Sequence, residues 1–558
     1  MYKFLKILFL GFSIAIFSSE NIHSQNCIFK FDSTVSVIDG FNIDISPGDT
    51  INLLKGHRYF LLLKNINGNK DSVITIRNYD GKVIIDTNFY YGIKFESSSF
   101  IKLSGAYIDS IKYGIQILKV EGAGISVDNK STDVEIENIE IANTSIAGIY
   151  AKTDPDCSFT AVRDSFTMYN IYIHDNYLHD IANEGMYIGS SFYTGKTLNC
   201  NGKDTLIYPH VIEGVKVYNN ILKNIGWDGI QVSSAISDCN IYNNYISNDS
   251  YSETYNQMSG ILIGGGSKCD CYNNIIVDGK GDGIDVLGLG NEKIFNNLII
   301  NPGKNYHPEL PVNQYQKHGI YITNLSTLPN AFYNIFNNTI ISPKTNGILF
   351  RNTESKNNKI YNNIIISPGA LNIYGDAAYI YSQPPGIDID ISHNYKDSDF
   401  DDIKFINPEE NNFALQGSSP VIDQGLNLSE YGIDFDIYNY PRPYGDNFDI
   451  GAFEYSPETQ NINEYSYNKK TSIKIKNIYP NPFNKSTTIQ YSLFFSTFIN
   501  ISVFNNLGQK VKEILNENQN KGDHIIIFKS DDLTDGIYFI NYKTNNENIT
   551  KKVMIYKK

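Results

Sequence analysis

Val217-Tyr218-Asn219-Asn220-Ile221 is followed by Ile241-Tyr242-Asn243-Asn244-Tyr245 and Cys271-Tyr272-Asn273-Asn274-Ile275. The same phrase returns as Ile294-Phe295-Asn296-Asn297-Leu298, Ile335-Phe336-Asn337-Asn338-Thr339 and Ile360-Tyr361-Asn362-Asn363-Ile364. Successive copies lie 24, 30, 23, 41 and 25 residues apart, a base period near 24 with insertions in two turns. A second phrase, glycine then apolar, variable, apolar, runs through Gly148-Ile149-Tyr150-Ala151, Gly185-Met186-Tyr187-Ile188, Gly229-Ile230-Gln231-Val232 and Gly260-Ile261-Leu262-Ile263. It continues in Gly283-Ile284-Asp285-Val286, Gly319-Ile320-Tyr321-Ile322 and Gly347-Ile348-Leu349-Phe350. Alternation of this kind means strands. Strands this short, with no amphipathic helix between them, predict a right-handed parallel β-helix whose coils stack about 4.8 Å apart. Leucine-rich repeats need a fixed leucine spacing that is missing, and propellers need a period above about 40. The paired asparagines are read as corner residues. Asparagine tolerates a left-handed bend, and its amide can bond its counterpart one coil away.

The flanks complete an all-β chain. The solenoid is expected over residues 27–395, with 27–50 as its N-terminal cap. A trailer over 396–456 carries Phe405-Ile406-Asn407-Pro408, Arg442-Pro443 and Asp449-Ile450-Gly451-Ala452-Phe453-Glu454, and is read as the C-terminal cap. Residues 457–473 are polar and without pattern, hence a linker. From 474 to 558 short alternating strands with turns between them predict a small Ig-like β-sandwich. At the other end, Lys3 and Lys6 precede an apolar run from Leu5 to Phe17. That is a signal peptide, residues 1–25, because about 13 apolar residues are too few to span a bilayer. Cys27 lacks the small apolar residues of a lipid-attachment motif before it. No later segment is long and apolar enough for a membrane helix. Among 558 residues, 46 are basic and 60 acidic, a net charge of −14. Such a chain repels phosphate backbones, which argues against nucleic acid as a partner.

Tyr479-Pro480-Asn481-Pro482-Phe483, Leu507-Gly508-Gln509, Asp535-Gly536-Ile537-Tyr538-Phe539 and the basic terminus resemble the C-terminal sorting domain of the type IX secretion system of Bacteroidetes. The resemblance implies the secretion machinery as a partner, and passage through the periplasm to the outer-membrane surface or the medium. The repeats resemble the wider pectate-lyase-like β-helices, at the level of the repeat alone. The trailer resembles the choice-of-anchor segments that follow secreted bacterial β-helices. The Asn-Thr-Asp, Asp-Asp and Gly-His-Gly set of polygalacturonases is absent as a set.

Chemistry is sought where the solenoid extends loops. The long insertions are 189–214, 247–258 and 301–317. The turn Asp278 to Asp282 is short, so the two long turns beside it are expected to wall a cleft with Tyr251, Tyr255, His307, Tyr315 and Lys317. Residues before the motif glycine form one column: Glu184, Asp228, Ser259, Asp282, His318 and Asn346. Two places after the glycine lies an outward column: Tyr187, Gln231, Leu262, Asp285, Tyr321 and Leu349. In that register Glu184 and Asp228 stand about 5 Å apart, and Asp228 and Asp282 roughly 10 Å apart. Carboxylate pairs at about 5 Å suit a retaining glycosidase, and at about 6.5–9.5 Å an inverting one. Glu184, Asp228, Asp282, His318 and Lys317 are therefore the candidate catalytic groups. Tyr187, Trp227, Gln231, Asp285 and Tyr321 are the candidate sugar contacts. Asp228, Asp282 and Asp285 form a candidate Ca²⁺ site, since clustered carboxylate oxygens suit that ion. Turn chemistry alone also explains Asp, Asn or Glu before glycine. His174 and His179 flank a corner and are read as structural. In an exported chain Cys157 and Cys200, both in polar insertions, are expected to pair. Cys239 and Cys269 occupy equivalent places in successive coils and either bond or stack.

The sequence thus points to an exported β-helix protein acting on polysaccharide, as a lyase or a glycoside hydrolase. The alternative is a non-catalytic, adhesin-like glycan-binding surface protein, because a fold by itself implies no reaction.

Overall fold

The computed structural model describes residues 27–108, 110–457, 473–493, 497–506, 508–520, 522–530, 533–544 and 548–557. The expected signal peptide and the interior of the expected linker lie outside the described residues. Three parallel sheets of 13, 12 and 12 strands make the solenoid. A coil visits the first sheet (Val211–Tyr218), the second (Ile221–Ile225) and the third (Ile230–Val232), and the next coil begins at Ala235–Tyr242. Each strand pairs in parallel with its counterpart one coil on. The first sheet runs from Ile28–Phe31 to Ile389–Ser392, and the second ends at Tyr395–Asp397.

The alternation read in the sequence sorts side chains into columns. Ile230, Ile261, Ile284, Ile320 and Ile348 stack without exposure inside the tube. The first asparagine of each pair has the left-handed backbone, with φ between 51° and 57° from Asn219 to Asn362. The second is buried and forms the ladder. Its Nδ2 donates to Oδ1 of the next coil's asparagine at 2.9–3.0 Å, from Asn220 through Asn244, Asn274, Asn297 and Asn338 to Asn363. The same Oδ1 accepts the preceding coil's backbone N–H at 3.0–3.1 Å, so the amides leave few unmet valences. The ladder extends to Asn176 and Asn394. Outside the corner, the rings of His174, Tyr218, Tyr242, Tyr272 and Phe295 stack at 4.5–4.9 Å.

The motif glycine has a steric cause. A Cβ on Gly229 would meet the carbonyl oxygen of Gly260 at 2.5 Å, and one on Gly283 would meet that of Gly319 at 2.5 Å. Adjacent coils could not close up around any larger residue.

The trailer packs along the flank of the stack. Its Phe405, Phe413 and Val421 join one apolar cluster with Ile275, Leu298, Ile341 and Ile364 of the second sheet. Asparagines at the corner serve as docking points: Asn337 donates to the carbonyls of Asp449 and Gly451, and Asn362 to that of Leu426. Arg442 and Glu454 form a fully buried ion pair at 3.0 Å within this segment. At the C-terminus, a three-stranded and a four-stranded antiparallel sheet enclose Ile489, Tyr491, Ile501, Val503 and Tyr542. Cys157 and Cys200 are bonded, as are Cys239 and Cys269.

The two asparagines of a pair should respond differently to substitution. Asn274→Ala strands partners on both neighbouring coils, and each buried group left unpaired costs about 1–3 kcal/mol. A loss of about 2–4 kcal/mol in urea unfolding is expected. Asn243→Gly, where only the left-handed bend is needed, should change stability by less than about 1 kcal/mol.

Candidate functional site

The third sheet fixes the site. Ser259 pairs with Asp282, and the ladder above and below places Glu184 beside Asp228 and Asp282 beside His318. Backbone bonds trace the same column, from Gly185 to Asp228, Gly229 to Ser259, Gly283 to His318 and Gly319 to Asn346. The outward column is likewise in register, with Tyr187 beside Gln231, Leu262 beside Asp285, and Asp285 beside Tyr321. The sequence-predicted residues therefore gather on one side of the solenoid.

Their exposure divides them. Glu184, Asp228, Asp282 and His318 are buried at the turn, and Gln231 is buried beneath Ser191 of the first long insertion. Tyr187, Trp227, Asp285, Lys317 and Tyr321 are partly buried. The expected opening over Asp278–Asp282 is bridged instead. Glu253 of the 247–258 loop contacts Lys280 at 2.5 Å and His307 of the 301–317 loop at 3.7 Å. His307 in turn packs on Tyr315 at 4.2 Å. Tyr255 stays 86% exposed, outside this bridge.

Burial sets the charges. It lifts the Glu184 carboxyl to about 7, and with it the Asp228 carboxyl to about 7 even though the Ser259 hydroxyl donates to Asp228 Oδ1 at 2.6 Å. Burial also raises Asp285 well above the usual carboxylate range, assisted by the neighbouring Asp282, with Lys317 opposing. Burial pushes His318 down to about 4, which leaves a neutral ring whose Nδ1 accepts the Asn346 N–H at 3.3 Å. Lys317 is desolvated too, yet its partner Asp282 more than offsets this and raises it on balance. The Lys317 Nζ–Asp282 Oδ2 distance is 2.8 Å, and Asp282 Oδ1 accepts the His318 N–H at 2.6 Å. Both Asp282 oxygens are thus engaged. Buried atoms of this region without a hydrogen-bond partner include Asp228 Oδ2, Asp285 Oδ1 and Gln231 Oε1.

The calcium expectation meets a different chemistry. Of the three expected calcium ligands, Asp282 already carries an ammonium partner, Lys317. A separate group, Glu135, Glu137 and His174 on the first sheet, does converge within 4.8 Å. There Lys102 bonds the two glutamates at 2.7 and 3.0 Å, and His174 is pushed up to about 9 by Asp175 and Glu135 against its burial. His179 stacks on Tyr177 and bonds Asp180 at 2.7 Å.

Sequence reasoning missed Ser191, which covers Gln231, and Tyr306, whose ring lies 5.8 Å from Lys317 Nζ. It also missed Asp249, buried in the turn and lifted by that burial to about 6. None of the three belongs to the repeat, so no periodic signal marks them.

Residues 206–394 match the right-handed β-helix region family, and residues 477–556 match the secretion system C-terminal sorting domain. This is a β-helix protein built for export. Its sorting domain directs the chain through the type IX system to the cell surface or the extracellular space. Among solved structures, the exported chain is similar to an alginate lyase from Paenibacillus sp. str. FPU-7, at 13% identity and a TM-score of 0.34, over 59% of this chain and 97% of that one. It is also similar to full-length tailspike protein 2 of an Escherichia coli O157:H7 bacteriophage, at 11% identity and a TM-score of 0.29, over 94% of this chain and 64% of that one. No curated protein matches it by sequence.

A carboxyl raised by burial contributes stability that is complete below its unfolded value, near 4, and is lost as pH rises to its folded value. For Asp228 the window is about pH 4 to 7. Asp228→Asn keeps an acceptor for Ser259 and removes the titration. Its melting temperature should match the parent at pH 4 and exceed it at pH 8, by an amount equivalent to about 1–4 kcal/mol.

Proposed function

We propose that the chain is a polysaccharide lyase whose substrate carries uronate groups, working at the outward face of the third sheet between Tyr187 and Tyr321. The observation that carries this reading is the set of partly buried side chains on that face. It offers a cation, Lys317, and a carboxyl held neutral by burial, Asp285, beside a phenol, Tyr321. A glycoside hydrolase needs a second carboxylate, ionised and free to attack or to activate water. Here Asp282 is locked between Lys317 and the His318 amide, and Asp228 is buried.

β-Elimination has other needs. A base removes the proton next to the uronate carboxylate, the glycosidic carbon–oxygen bond breaks, and the departing oxygen takes up a proton. The negative charge that builds on the uronate oxygens is the main barrier, so preorganised donors aimed at them dominate catalysis. Lys317 and the neutral Asp285 serve as those donors. Asp282 positions Lys317, and Tyr321 moves the proton between carbon and leaving oxygen. Tyr187 and Trp227 flank the floor as apolar surfaces for sugar rings.

A non-catalytic glycan-binding role is the second reading. It is favoured by the burial of Glu184, Asp228 and Asp282, none more than 5% exposed.

The full chain, incubated with polyuronates and with neutral plant and algal glycans, is expected to release unsaturated oligosaccharides from a polyuronate, read by ultraviolet absorbance. Asp285→Leu and Lys317→Met should each lower the rate at least about 100-fold, the scale of losing one preorganised donor. Reducing ends without ultraviolet absorbance would mean hydrolysis. Binding without any product would favour the second reading.

A further inference from the structure

A second groove lies on the first sheet, away from the site above. Its volume is about 610 Å³. The floor is an outward column in which Asn240 pairs with Asp270 and Lys293 with Asn334, which pairs in turn with Lys359. One wall is Tyr431 of the trailer, fixed there because Lys293 Nζ donates to its carbonyl at 3.1 Å. The other carries Lys268 and Phe332, which is 36% exposed.

Three features of this groove call for a ligand. Asn334 lines it, and its Oδ1 is buried and has no hydrogen-bond partner; the residue is 5% exposed. An unmet acceptor of that kind costs about 1–3 kcal/mol unless a donor arrives. The cations are also not all spent. Lys293 is paired with Asp270 at 3.3 Å, whereas Lys268 and Lys359 make no ion pair among the described residues. Lys359 instead lies 5.5 Å above the Tyr431 ring. Finally, Phe332 and Tyr431 offer ring faces beside amide side chains, the pairing that suits a sugar's apolar face and its hydroxyl rim.

We infer that this groove binds an acidic oligosaccharide without cleaving it. A ring stacks on Phe332 or Tyr431, a sugar hydroxyl bonds the Asn334 amide, and the anionic groups, carboxylate or sulfate, meet Lys268 and Lys359. Strand spacing places successive floor residues about 4.8 Å apart along the stack, close to the advance of a polysaccharide, so several floor residues can engage one chain. The inference concerns binding and stands whether or not the third sheet performs elimination.

The test uses the full chain with Asp285→Leu as background, so that turnover cannot consume the probe. Retardation in native gels containing alginate, polygalacturonate, a sulfated galactan or neutral starch gives the affinity for each. Retardation by at least one acidic glycan is expected, with none by starch. Lys268→Ala with Lys359→Ala should weaken it at least tenfold, and Phe332→Ala at least threefold, with unchanged melting temperature. A carboxylated glycan binding where the sulfated one does not, or the reverse, identifies the anion. Equal retardation by starch overturns the inference. So does acidic-glycan binding that these substitutions leave intact, or the absence of any retardation in both the parent and the Asp285→Leu chain.

Discussion

The buried amide ladder from Asn176 to Asn394 is the constraint on which the rest of the structure depends. Each amide bonds the same atoms on the coil before and the coil after. A slip of one residue in any coil would orphan two donors and two acceptors in a place water cannot reach. Register is therefore set at the corner and transmitted along the strands. Everything argued about columns on the third and first sheets follows from it. Glycine at the opposite turn sets the second condition, because neighbouring coils touch backbone to backbone there.

That construction explains why so much of the molecule is legible from its residues. The phrase with two asparagines declares its own corner, and the phrase with glycine declares its own strand. Together they align Asp228 with Ser259 and Asp285 with Tyr321 before any coordinates are known. What periodicity cannot reveal is how an inserted loop returns. Ser191 covers Gln231, and Glu253 reaches His307 across the short turn, through contacts between non-repeating segments. The first-sheet groove is hidden for the same reason, since Tyr431 stands 138 residues from the Lys293 it meets. Cys239 and Cys269 stayed ambiguous because their Cα separation of 4.4 Å fits both simple stacking and a bond.

Electrostatics in the candidate site grows from that geometry and from little else. A parallel stack brings like residues together and buries whatever lies at a turn, so carboxyls there give up protons reluctantly. Glu184, Asp228 and Asp285 share this fate, and Asp282 lies against the Lys317 ammonium. One chain thereby holds an ion pair and neutral acids within a few coils.

The bond between Cys239 and Cys269 has a mechanical consequence. A solenoid held by nearest-neighbour contacts comes apart like a zipper, coil after coil from an end. Here two consecutive turns are riveted in mid-array, one of them carrying Ser259 and the other Asp282 and Asp285. Peeling that starts at either tip halts at the rivet, and the segment bearing both faces outlasts the tips.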